Sequence, residues 1–140
     1  MPRTLLIVDD NPSVRESLRL LLERRGYTVL VAASGAEAIA LAGQHRVDAG
    51  IIDVNMPGMN GLAVCRTLRT RAAEAGWNFP VWMITGARTP ELERAARESG
   101  ALEVLSKPFD YVELFHRFDA QLGVASVSTP VGGEMPPAPR

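Results

Sequence analysis

The sequence predicts an α/β protein in which a five-stranded parallel sheet is wound on both sides by helices. Three observations point there. Short apolar runs alternate with helical patterns five times along the chain, the pattern of βα units feeding a parallel sheet. The first run, Leu5–Val8, is apolar on both parities, as a strand buried on both faces must be. Five units are also too few to close an eight-stranded barrel, which leaves an open, doubly wound sheet.

Each element has its own justification. Pro12 to Arg25 carries Val14, Leu18, Leu21 and Leu22 at helical spacing, and Gly26 suits the position after the helix end. Tyr27–Ala32 is β-branched and reads as the second strand. Ser34-Gly35-Ala36-Glu37 fits a capping box that opens a helix to about Gln44. Ala49–Ile52, ending at Asp53, is the third strand, and Gly61–Ala75 a helix with Leu62, Cys65 and Leu68 on its apolar face. Pro80–Thr85 is the fourth strand. Thr89-Pro90-Glu91 reads as an N-cap with proline at the first helical position, and that helix stops at Gly100. Ala101–Ser106 is the fifth strand and Phe109–Leu122 the last helix. Right-handed crossovers constrain the winding, and one common solution is the flavodoxin-like (βα)5 arrangement, strand order 2-1-3-4-5, with its switch point between strands one and three.

Composition bounds the function. The 140 residues suit one domain, and a hydrophobic share of 46% supports a core. A net charge of -1 gives no general electrostatic case for binding nucleic acid or an acidic membrane. The apolar run in MPRTLLIVDD is stopped by two aspartates, too early for a signal peptide or membrane span. The single cysteine, Cys65, allows no internal disulfide. The expectation is a soluble, cytoplasmic protein. Residues 1–122 read as the folded domain. The last 18 residues, 123–140, hold four prolines and three glycines with no apolar period, and read as a disordered tail or the stub of a linker.

The polar residues gather at the strand ends. Asp9 and Asp10 follow strand one, Asp53 ends strand three, Thr85 ends strand four and Lys107 follows strand five. In a parallel sheet these ends share one edge, where α/β proteins bind ligands. Three crowded aspartates repel one another and call for a cation; an all-oxygen ligand set favours a hard ion such as Mg²⁺. The bland reading of Asp9-Asp10 is a solvated turn, with Asp10 or Asn11 capping the helix ahead of Pro12. That reading leaves Asp53, Thr85 and Lys107 on the same edge unexplained. Cation, ammonium and hydroxyl together can hold the oxygens of a phosphoryl group, and Asp53 can act as nucleophile through an aspartyl-phosphate.

LLIVDD, IIDVNMPGMNG, MITGA and LSKPF, in that order over about residues 4–122, resemble the receiver domain of two-component response regulators. The resemblance implies that Asp53 is the phosphoacceptor and that Asp9 and Asp10 bind Mg²⁺ with Asp53 and the backbone carbonyl of Asn55. It implies that Thr85 is the switch hydroxyl, that Lys107 contacts the phosphoryl group, and that the Lys107–Pro108 bond is cis. Met56-Pro57 and Gly58 to Gly61 resemble the family's turn after the phosphoacceptor, where glycine permits positive φ. One position departs from the pattern: Val104 stands where the family usually has tyrosine or phenylalanine, so the usual aromatic relay is absent.

The resemblance implies a signalling switch rather than an enzyme, phosphorylated by a sensor histidine kinase or histidine phosphotransfer protein and read by a downstream protein. A single-domain regulator is the leading architecture and an N-terminal receiver of a larger protein the alternative. Homodimerisation through residues 89–122 is common in the family and stays open. Two other classes fit worse. An aspartate-nucleophile phosphatase of the haloacid dehalogenase kind needs a D-x-D pattern after strand one, whereas these acids are adjacent. A flavin-binding flavodoxin-like protein needs a phosphate cradle where this chain has two carboxylates. His45 and His116 read as surface, Trp82 as core, and Arg15, Arg19, Arg24 and Arg25 as a charged outer face of the first helix.

Overall fold

The computed structural model describes residues 3–56, 60–107 and 110–122. The chain divides into two compact units, Met1–Pro108 and Phe109–Arg140. The first holds β1 (Thr4–Val8), α1 (Pro12–Arg24), β2 (Thr28–Ala32), α2 (Gly35–Gln44), β3 (Ala49–Asp53), α3 (Gly61–Glu74), β4 (Val81–Thr85), α4 (Pro90–Glu98) and β5 (Glu103–Ser106). The described part of the second is α5 (Tyr111–Leu122).

All four strand pairs are parallel and the order is β2-β1-β3-β4-β5, as the sequence predicts. β3 and β4 are buried at every position, so alternate residues serve opposite faces. Leu6, Val8, Ile52, Val81, Met83 and Val104 join one cluster with Ala38 of α2, Val64, Cys65 and Leu68 of α3, and Ala96 of α4. The other parity, including Leu5, Ile7, Ile51, Trp82 and Ile84, is buried as fully. There α1 packs on β1 and β2, and its buried Leu18 and Leu22 stand outside the first cluster. Both faces of the sheet are thus covered, which explains the unbroken apolar runs.

Helix starts follow local chemistry. Asn11, not Asp10, caps α1: its side chain accepts from the Ser13 and Val14 N–H groups. Ser34 Oγ accepts from Glu37 N at 3.2 Å, while Glu37 Oε1 accepts from Ala33 N at 2.6 Å. This is the capping box with its return arm shifted one residue outward. Thr89 Oγ1 accepts from Leu92 N ahead of Pro90.

Several boundaries differ from the sequence reading, most by one residue as at Val81, Arg24 and Glu74, and three show a physical cause. β2 starts at Thr28, since Tyr27 N turns back to the Leu22 carbonyl at the end of α1. β5 starts at Glu103, since Ala101 N still bonds Ala96 O at the end of α4. α5 starts at Tyr111 rather than Phe109, because Asp110 Oδ1 accepts from Val112 N and Glu113 N and so caps it. Gly61 is a correction of kind. The positive-φ glycines among the described residues are Gly26, Gly76 and Gly100. Gly61 instead serves close approach, because a Cβ there would overlap the Asp53 carbonyl oxygen. The expectations for Pro57, Gly58, Pro108 and residues 123–140 lie outside the described residues.

Candidate functional site

Register builds the site. Val8 pairs with Ile52, so Asp9, the residue after β1, comes beside Asp53 at the end of β3. Asp53 pairs with Ile84 and Thr85 with Ser106. Past the last ladder pair, Lys107 N donates to Thr85 O at 2.8 Å. The predicted carboxylates, hydroxyl and ammonium therefore sit on the carboxyl edge of one sheet.

The acids converge. A carboxylate oxygen from each of Asp9, Asp10 and Asp53 lies within 4.8 Å of the others. Asp9 is fully buried, Asp53 nearly so, and Asp10 is exposed. Asp9 Oδ1 accepts from Asn11 N at 2.9 Å, and Asp53 Oδ1 from Asn55 N at 3.3 Å. Lys107 Nζ stands 3.1 Å from Asp9 Oδ2 and 3.5 Å from Asp53 Oδ2. The buried Asp9 Oδ2 thus has the Lys107 ammonium as its charge partner.

The electrostatics agree. Burial, then the like charge of Asp9, raises the pKa of Asp53, with Lys107 pulling against them. At Lys107 burial opposes the ammonium form, but contact with Asp9 and then Asp53 outweighs it, and the pKa is raised. One ammonium thus contacts two of the three acids, and the residual negative charge fits a hard cation held by oxygen ligands.

Thr85 is fully buried, and its Oγ1 accepts from Ala87 N at 3.1 Å. Gly86 is exposed, and a Cβ there would meet nothing within 4 Å, so the edge stays open beside the threonine. Val104 is buried in the cluster that contains Ala96 of α4. Asn55 follows on the exposed side of the turn.

Arg15 was grouped with the outer face of α1, and the structure places it otherwise. It is half-buried, and its Nη1 donates to the Asp9 carbonyl at 2.9 Å. Only its position six residues past Asp9, one turn into the capped helix, could have revealed this. Arg19 pairs with Glu16 and Glu23 on the outer face, as expected. His45 and His116 are exposed and Trp82 is buried.

A sheet in this order, with three acids and a lysine on its carboxyl edge, defines the class, and comparison with known proteins agrees. Residues 5–119 match the response regulator receiver domain family, and the chain belongs to it. Response regulator MprA of Mycobacterium sp. (strain KMS) is 41% identical over 122 residues, 87% of this chain and 51% of that protein. The chain thus spans about half the length of the curated relatives it matches. Chemotaxis protein CheY4 of Vibrio cholerae superposes with a TM-score of 0.79 at 33% identity, covering 86% of this chain and 98% of that one. The CheX–CheY–BeF3–Mg complex of Borrelia burgdorferi gives 0.76 at 26% identity, covering 87% and 90%. Among the described residues no helix is long and apolar enough to cross a membrane.

Proposed function

We propose that Asp53 is the phosphoacceptor of a two-component signalling switch. The observation that carries this reading is the convergence of Asp9, Asp10 and Asp53 with Lys107 on one sheet edge. A carboxylate oxygen of Asp53 attacks the phosphorus of a phosphohistidine on a histidine kinase or phosphotransfer protein. An O–P bond forms, the P–N bond breaks, and its electron pair stays on the imidazole nitrogen. Lys107 neutralises charge on the transferred phosphoryl oxygens, and Thr85, freed from Ala87 N, donates its hydroxyl to one of them. Asp9, Asp10 and Asp53, with the Asn55 carbonyl, are the residues that would hold Mg²⁺, which when bound supplies countercharge to the phosphoryl group. The relative solved with BeF3 and Mg supports that choice of ion.

Intact-mass measurement after incubation with acetyl phosphate tests the reading. Wild type with Mg²⁺ gains one phosphoryl group; chelation of the metal, or Asp53→Ala, abolishes the gain. An unmodified wild type would overturn the function, and an equal gain in the variant would overturn the site.

A second architecture has its own support. The curated relatives are about twice as long as the matched segment, which favours a receiver that works within a larger regulator over one that signals alone. A receiver that signals alone would be read by a downstream protein, and one within a larger regulator by an output domain of the same chain.

A further inference from the structure

Away from the acidic edge, an apolar cavity of about 170 Å³ opens between α2 and α3. It lies toward the opposite end of the sheet: Val47 precedes β3 and Phe79 precedes β4, and both line it with Leu68, Ala72 and Trp77. Val47, Leu68, Ala72 and Phe79 are buried. Three features distinguish this cavity from an ordinary packing gap.

Its size suits one ring. An engineered apolar cavity of about 150 Å³ in another protein takes up benzene, whereas drug-sized ligands need roughly 300 Å³ or more. Its wall is poor for water, which needs two to four polar partners. Trp77 brings a donor that is already desolvated, since its Nε1 is buried and makes no hydrogen bond. Finally, the mouth is cationic. Arg71 lines it, is exposed, and makes no ion pair among the described residues. The Arg46 guanidinium lies 5.0 Å from the centre of the Trp77 ring, and its Nε stands 4.0 Å from Asp48 Oδ1.

We propose that this cavity binds a small aromatic carboxylate, its ring among Val47, Leu68, Ala72 and Phe79 and its carboxylate at Arg71. A neutral ring would gain the apolar contacts but leave the arginine unused. An aliphatic dianion would engage the arginine but not the ring-sized void. Nothing in this site overlaps Asp53 or Lys107, so the inference stands apart from the phosphorylation chemistry.

The test uses the indole N–H resonances of the two tryptophans, with Trp77→Phe identifying the Trp77 signal by its loss. Titration of the whole chain with phenylacetate is expected to move the Trp77 resonance saturably in the millimolar range while that of Trp82 stays. The uncharged analogue 2-phenylethanol, and phenylacetate with Arg71→Gln, are expected to bind roughly three- to fivefold more weakly, the loss of one solvent-exposed ion pair. Ala42→Leu, which adds bulk to the lining, is expected to remove binding while the protein stays folded by circular dichroism. No saturable shift up to the solubility limit of phenylacetate would overturn the site. Equal affinity for the alcohol, or no effect of Arg71→Gln, would overturn its assignment to a carboxylate.

Discussion

At Asp53, burial and the neighbouring charge of Asp9 act in the same direction, and both disfavour the ionised carboxylate. Its pKa in the fold lies above that in the unfolded chain. Its contribution to stability is therefore complete below the unfolded value and is lost as pH rises through the folded one. At neutral pH without a cation, the charge on Asp53 costs the fold stability. Asp53→Asn removes that charge and leaves Lys107 with Asp9 at 3.1 Å. The variant is expected to melt higher than wild type in chelator at neutral pH, by ~1 kcal/mol, or about 4 °C for a domain of this size. The difference shrinks as the buffer is made acidic. A variant that melts lower would mean the carboxylates are not in conflict. The acids and Lys107 were legible in the sequence because each ends a strand, and strand ends share an edge. Arg15 was less so, because its bond to the Asp9 carbonyl depends on where a capped helix aims one side chain, and its spacing from Asp9 is the only trace of that in the sequence.

The close approach at Gly61 is a property of two elements. α3 begins directly against the end of β3: Gly61 N donates to Val54 O at 3.0 Å, and a Cβ there would overlap the Asp53 carbonyl oxygen and crowd Val54 Cα. The obstacle is backbone, so no rotamer relieves it. Gly61→Ala is expected to cost about 2–3 kcal/mol by chemical denaturation and to slow phosphorylation of Asp53 by acetyl phosphate, since relief requires β3 or α3 to shift. Wild-type stability in the variant would contradict the packing described here. The sequence marked Gly61 as special and misassigned the reason. A glycine needed for positive φ and one needed for contact look alike until the neighbour is in place. The helix ends were more legible, because Ser34, Thr89 and Asn11 act on N–H groups two or three residues away. Strand starts were less so. Tyr27 and Ala101 are apolar enough to read as strand, yet their N–H groups close the preceding helices.

For the molecule as a whole, the question is how a change at the acidic edge reaches a partner. Val104 is buried in the cluster that also holds Ala96 and Ala101 and has one side-chain torsion, so it cannot swing as a ring would. The signal is expected to run through α4 or the loop before it, residues 86–99, with Val104 in place. Backbone NMR shifts with and without beryllofluoride and Mg²⁺ check this. Shifts at Asp53 with residues 86–104 undisturbed would refute it. The doubly wound parallel sheet was legible because helices must cover both faces of a doubly apolar sheet, and the observed order is one common solution of that winding. The cavity between α2 and α3 was not, since it arises where two helix ends and two strand starts fail to fill space.

The hydrogen bond from Lys107 N to Thr85 O has a mechanical consequence. It extends the β4–β5 ladder by one rung beyond the last paired residues, Thr85 and Ser106. The residues that bring the hydroxyl and the ammonium to the site are coupled through their backbones, like two jaws on one hinge pin. Were the Thr85 backbone to shift, that of Lys107 would be expected to move with it, with no side chain in between.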